Sequence, residues 1–211
     1  MSAPGKVLAY CVLERLEDLS DVAGVGGQPV RSIAFQNLIA LYSDFSETRS
    51  LNQEDALRFH SVLKSVFEKQ AVVPFRFPTF LDGETALHNE LRENHSKYAA
   101  DLERIRNLVQ MELRISNSTH ETSRASGKDY LESKRQQARS VQEVIRAVCD
   151  SAADLISDSK ERPAEQGIRF YALTKRTDAA SFRERIQNIK ASPALRILVS
   201  GPWPATEFLD D

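Results

Sequence analysis

Apolar residues recur along this chain with two different periods, and the points where the period changes divide it into strands and helices. Val7–Leu13 (VLAYCVL) is short, nearly all apolar and rich in β-favouring residues, which predicts a central strand. Gly24-Val25-Gly26-Gly27-Gln28-Pro29 predicts a loop, because glycine supplies the positive φ angles of tight bends. Val30–Phe35 and Leu38–Tyr42 predict two further strands joined as a hairpin by Gln36-Asn37. Asn52 is placed as an N-cap, with Glu54 and Asp55 in a first turn whose dipole favours acids. Phe59, Val62, Leu63, Val66 and Phe67 then repeat at helical spacing and define one buried face. Val72–Phe77 predicts a strand that Pro74 confines to an edge or to the start of pairing, since proline donates no ladder hydrogen bond.

From Asp82 to about residue 108 the period is helical again. Leu87, Leu91, Tyr98, Leu102, Ile105 and Val109 form one stripe, compatible with coiled-coil-like packing. Met111–Ile115 alternates, which predicts a strand with one wet face and one buried face. A polar loop, Ser116–Ser126, precedes the longest expected helix, roughly Lys128–Ile156, whose stripe is Leu131, Ala138, Val141, Ile145, Val148, Ala152 and Leu155. Ser157–Gly167 is charged and holds Pro163, and is read as a loop. Ile168–Thr174 is read as a strand, Phe182, Ile186 and Ile189 as a short helix, and Leu195–Val199 as a last strand ending at Gly201-Pro202-Trp203-Pro204. The expected class is α+β with long amphipathic helices, in two domains: 1–109, mostly β followed by helices, and 110–211, in the order β-α-β-α-β.

Composition narrows the function. A net charge of −2 on 211 residues predicts no general affinity for phosphate backbones or anionic lipid, which would call for a basic face, so neither nucleic acid nor membrane is an expected partner. No apolar run approaches the roughly 20 residues that cross a bilayer, and Val7–Leu13 runs into Glu14, Arg15 and Glu17 before any cleavage site. A cytoplasmic protein is expected. Cys11 and Cys149 both sit in apolar patterns and are read as reduced thiols. His88 and His95 lie seven apart, where helical metal ligation wants three or four, so no metal site is assigned among His60, His88, His95 and His120. Gly24–Gly27 lacks the G-x-G-x-x-G spacing and precedes a strand, not a helix that would hold phosphate. No nucleophile elbow, P-loop or paired carboxylates appear, so no catalytic residue and no cofactor is assigned.

Two stretches stand out. Val73–Phe80 gathers Phe75, Phe77 and Phe80, with Arg76 on the opposite face of a regular strand. It reads either as an aromatic core strand with an acid-paired arginine, or as a partner surface, where arginine and aromatics are favoured. Gly201-Pro202-Trp203-Pro204 holds the single tryptophan between stiffening prolines. Trp203 reads either as a plug of the second domain's core or as a partner anchor.

The same two stretches resemble those of a known family. VPFRFPTFL (Val73–Leu81) is similar to the V-L-P-x-R-F-G-T-x-F segment of the gas vesicle proteins GvpF and GvpL, with Pro78 where glycine is usual. GPWPATEF (Gly201–Phe208) is similar to their near-terminal G-P-W-P-P-Y-S-F, with Ala205, Thr206 and Glu207 replacing P-Y-S. Gly24–Phe45, His60-x-x-Leu63, Arg104–Ile115 (with Asn107 for a glycine and Gln110 for a glutamate) and Gly127–Lys134 resemble family segments in the same order. The resemblance implies a non-enzymatic accessory or minor structural protein of gas vesicle assembly, associated with the vesicle. Its implied partners are the small hydrophobic shell protein and other gas vesicle accessory proteins. It further implies two α+β domains, the C-terminal one a modified ferredoxin-like fold. Within the two stretches, Phe75, Arg76, Phe77, Gly201, Pro202, Trp203 and Pro204 are the expected contact or structural residues. Two other readings stay open: a family member recruited to a non-vesicle assembly, and an enzyme or small-ligand domain on a ferredoxin-like scaffold.

Overall fold

A computed structural model describes residues 5–15, 22–48, 50–117, 127–165, 167–189 and 195–210. The chain groups into two compact units, one of Met1–Asn107 with Pro204–Asp211, the other of Leu108–Trp203. The break lies two residues from the expected 109/110 boundary, and the last eight residues group with the first unit instead of the second.

The first unit is built on β1 (Lys6–Leu13). It pairs antiparallel on one side with β3 (Leu38–Phe45), which pairs in turn with β2 (Arg31–Phe35). On its other side it pairs with the two short strands β4 (Val73–Pro74) and β5 (Phe80–Leu81). Being central explains the apolar composition of β1, because every residue from Val7 to Leu13 is buried. The β2–β3 hairpin turns at Gln36-Asn37 as the sequence predicts, with Gln36 at a positive φ of 54°.

α1 (Gln53–Phe67) starts on a capping box. The Asn52 side chain accepts from the Asp55 amide and the Asp55 carboxylate accepts from the Asn52 amide, both at 3.0 Å. Its expected stripe, Phe59 to Phe67, is the buried face, and Phe59 stacks on Tyr10 of β1 with ring centroids 5.2 Å apart. The continuous helix expected from Asp82 to about residue 108 is two helices, α2 (Gly83–Glu93) and α3 (His95–Arg104), broken at Asn94. The Asn94 side chain donates to Glu90, to the carboxylate at 2.8 Å and to the carbonyl at 3.3 Å. A short amide side chain that competes for backbone groups in this way favours helix ends over helix interiors. Leu87, Leu91, Tyr98, Leu102 and Ile105 are all buried, so the stripe survives the break, while Val109 belongs to the next strand.

The second unit runs β6 (Leu108–Asn117), α4 (Gly127–Ser151), β7 (Ile156–Ala164), β8 (Gly167–Lys175), α5 (Ala179–Gln187) and β9 (Leu195–Trp203). Its four strands pair antiparallel in the order β7-β8-β6-β9. The stretch Ser157–Gly167, expected as a loop, is instead mostly β7. Its residues are exposed but for Ile156 and Lys160, so no apolar alternation marks it, and Pro163 is tolerated because the strand lies at the sheet edge. α4 buries Val141, Val144, Ile145 and Val148, but Ala138, placed on the stripe by its spacing, is exposed; Leu131 lies outside the described side chains. α4 and α5 cover the sheet face of Met111, Leu113, Ile115, Phe170 and Ala172. The alternate residues of β6, Glu112 and Arg114, belong to the opposite face, as their alternation predicts.

Candidate functional site

The Val73–Leu81 stretch is not one strand. Cys11 pairs with Pro74 and Leu8 with Phe80, so β1 passes two residues where the partner chain passes five. The surplus, Phe75 to Thr79, leaves the ladder but stays pinned at both ends. The Phe75 amide donates to the Tyr10 carbonyl at 2.9 Å, and the Ala9 amide donates to the Thr79 carbonyl at 3.0 Å. The Thr79 hydroxyl donates to the Arg76 carbonyl at 2.5 Å and closes the turn.

Within that turn the two phenylalanines face inward. Phe75 meets Tyr98 of α3 edge-on, with centroids 6.2 Å apart, and Phe77 lies 4.9 Å from Phe59, which stacks in turn on Tyr10. Both stay half-buried, so each fills the aromatic layer while one part remains open to solvent. Arg76 is exposed and pairs with no acid among the described residues. The turn is thus anchored at both ends and presents Arg76 between two part-open aromatics.

The second stretch lies in the other unit. Gly201 has φ 113°, and a Cβ there would sit 2.8 Å from the Gln110 carbonyl and 3.1 Å from the Met111 sulfur, so only glycine fits. The Arg183 guanidinium of α5 donates to the Gly201 carbonyl. Trp203, half-buried, donates from Nε1 to the Ser200 Oγ at 3.3 Å and stands opposite Gln110 on β6. Pro202 is exposed. Pro204 opens the returning segment of the first unit, where Ala205 and Phe208 are buried. That segment is held by Asp210, whose carboxylate accepts from Arg104 at 2.9 Å and whose amide donates to Asp101 at 3.4 Å. Arg104 also reaches Asp101 at 2.8 Å. Of the seven expected residues, Phe75, Arg76 and Phe77 therefore share one turn of the first unit, Gly201, Pro202 and Trp203 end the second, and Pro204 starts the return.

Gly24, His88 and His95 take part in the packing of the first unit. Gly24 donates to the Gln28 carbonyl at 2.8 Å, and its missing side chain leaves room for the Tyr10 and Ser43 hydroxyls. His88 and His95 stand edge-on to Phe35 of β2, at 5.4 and 5.7 Å, and His95 bonds Asn37 at 2.8 Å. His60 is exposed and His120 lies outside the described residues. Among the described residues no group of three His, Cys, Asp or Glu is placed to hold a metal, and no helix is long and apolar enough to cross a membrane. Cys11 is buried in β1, which pushes its thiol up to about 12, so it is inert as a nucleophile; Cys149 is part-exposed and unpaired with any other cysteine.

The sequence profile described as gas vesicle synthesis protein GvpL/GvpF matches residues 6–210. The chain belongs to that family. Two solved structures show the same fold as this GvpL/GvpF member: the gas vesicle protein GvpF from Anabaena sp. PCC7120 and GvpF from Microcystis aeruginosa. The first is 13% identical with a TM-score of 0.81, covering 98% of this chain and 99% of that one. The second is 14% identical with a TM-score of 0.80, covering 96% and 98%. No curated protein matches this GvpL/GvpF member by sequence.

Sequence reading overlooked one surface. Arg162, Arg169 and Arg114 stand side by side on β7, β8 and β6. Arg114 and Arg169 each stand between apolar neighbours in the sequence, whereas Arg162 falls in the charged stretch without alternation, and only the register joins the three.

Proposed function

We propose that this GvpL/GvpF member is a non-catalytic assembly protein of gas vesicles that binds the small hydrophobic shell protein and other accessory proteins. The observation that carries the reading is the family match from residue 6 to 210, supported by a fold shared over nearly the whole chain with two GvpF crystal structures. A shell subunit that faces gas must expose apolar surface before it is built in, and such a patch aggregates unless a partner covers it. The Phe75–Phe77 turn offers apolar surface beside a cation, and Trp203 with Pro202 offers a stiff aromatic edge. We read the two units as two domains, the second a modified ferredoxin-like fold; its β-α-β-β-α-β order and antiparallel β7-β8-β6-β9 sheet support this.

The test is co-purification of the tagged protein from vesicle-forming cells, probed for the shell protein. Recovery is expected with the wild type and is expected to fall with Arg76→Ala and with Trp203→Ala at unchanged circular dichroism. A clean pull-down without shell protein would refute the assembly reading. Full recovery with both variants would remove these two stretches from it.

A further inference from the structure

The face of the β7-β8-β6-β9 sheet opposite α4 and α5 is buried at Gln110, Tyr171 and Leu173 but exposed at its other end, where the charge pattern is unusual. In the row through Arg114, the residues in register are Arg162 on β7, Arg169 on β8, Arg114 on β6 and Leu198 on β9. The neighbouring row holds Lys160, Tyr171, Glu112 and Ser200, and the row on the other side ends in Arg196. Five cations thus share these rows with a single carboxylate, on a chain whose net charge is −2. Glu112 meets the Nε atoms of Arg114 at 2.9 Å and of Arg169 at 3.7 Å, the inner nitrogens of both guanidinium groups. Arg114 and Arg169 remain 54% and 44% exposed, and Arg162, Arg196 and Leu198 are exposed as well.

Like charges directly opposite on neighbouring strands destabilise a sheet. Three arginines in one row is therefore a local conflict that folding alone does not ask for, and such conflicts mark functional surfaces. The opposite face needs no such device, being covered by α4 and α5.

We propose that this arginine row is a docking surface for an acidic helix of a partner protein. Neighbouring strands lie about 4.8 Å apart, so the three arginines are spaced at close to that interval across the sheet. Carboxylates at i, i+4 and i+7 on a helix recur about every 5–6 Å, which matches the row when the helix lies across the strands. Acids on an extended strand recur about every 6.7 Å and drift out of step with the row. Leu198, one of two large apolar side chains exposed among the described residues, continues the row on β9 and faces the next turn of such a helix, near i+11. Arginine suits this task because its planar fork binds carboxylates in a bidentate manner. The proposal stands apart from the shell-protein reading, since it concerns a different face and a charged partner.

The probe is a labelled synthetic helix with Glu at i, i+4 and i+7 and Leu at i+11. It is compared with a peptide of the same composition whose glutamates are spread around the helix, and with a single-stranded oligonucleotide of equal charge. The full-length protein is expected to bind the patterned helix at least about tenfold more tightly than the scattered one, and to release it as salt rises from about 50 to about 500 mM. The triple variant Arg114→Gln, Arg162→Gln, Arg169→Gln is expected to lose about tenfold or more in affinity, with a melting temperature unchanged or raised. Glu112→Gln, which removes the carboxylate between Arg114 and Arg169, is expected to strengthen binding severalfold and decides the matter if the triple variant does not fold. Equal binding of both peptides, undiminished binding by a folded triple variant, no gain in Glu112→Gln, or tighter binding of the oligonucleotide would each overturn the proposal.

Discussion

Gly24→Ala should be among the most damaging single-methyl additions available to the first unit. Gly24 has φ −78° and ψ −173°, a conformation any residue adopts, so backbone strain does not enter. The cost is steric and polar: an added Cβ would lie 2.5 Å from the Tyr10 hydroxyl, 2.6 Å from the Ser43 hydroxyl and 2.9 Å from the Gln28 carbonyl. Those hydroxyls form a buried chain. The Val25 amide donates to Tyr10, Tyr10 and Ser43 share a bond, and Ser43 donates to the Pro29 carbonyl, each at 2.9 Å. Tyr10 and Ser43 are fully buried, so no water replaces a broken link. Overpacking costs about 1–3 kcal/mol, and each buried polar group left without a partner costs about another 1–3 kcal/mol. A loss near 4 kcal/mol follows, which at a urea slope of about 2 kcal/mol/M moves the midpoint by about 2 M. Far-UV circular dichroism during urea unfolding reads it. Tyr10→Phe removes the nearest clashing atom, so the double variant should be more stable than the two single losses added together, by about 1 kcal/mol or more. Additive losses within about 0.5 kcal/mol would refute the steric account, as would Gly24→Ala unfolding at the wild-type midpoint.

Phe208→Ala should cost about 3–5 kcal/mol and expose the returning segment to limited proteolysis, because Phe208 is the large buried side chain that holds it; an unchanged cleavage pattern would contradict this. Gln36→Gly should raise stability by about 1 kcal/mol, since Gln36 occupies a positive φ that glycine adopts without penalty, and thermal melting reads the gain. Stability should decline above about pH 10. Burial, then the hydrogen bond to Glu90, raises Tyr98, and burial, then the bond to Glu84, raises Tyr42. The unfolded chain therefore loses those protons first, and stability present below the unfolded pKa drains away as pH rises toward the folded one. Melting from pH 9 to 12 measures the slope, which Tyr98→Phe should flatten.

What could be read from the sequence was local. The apolar run of β1, the Gln36-Asn37 turn and the Asn52 cap with its Asp55 partner each declare themselves within a few residues, and each is found where the pattern put it. The break at Asn94 did not show, because the stripe from Leu87 to Ile105 keeps its phase across it. β7 did not show because an edge strand with little buried surface has no alternation, and its charges and Pro163 imitate a loop. Nor was the split of Val73–Leu81 legible, since it depends on five residues having to match two of β1. The arginine row is a property of strand register, which joins residues 114, 162 and 169 only after the sheet forms.

The return of Pro204–Asp211 to the first unit also decides how the molecule bears load. If tension acts between Gly5 and Asp210, both grips are in the first unit, and the bonds of Asp210 and the packing of Phe208 take the load first. Only when the segment held by Phe208, Arg104 and Asp101 peels away does the pull reach Trp203 and the edge strand behind it. Under such a load the short terminal segment is the first part of the chain to be peeled, ahead of Trp203.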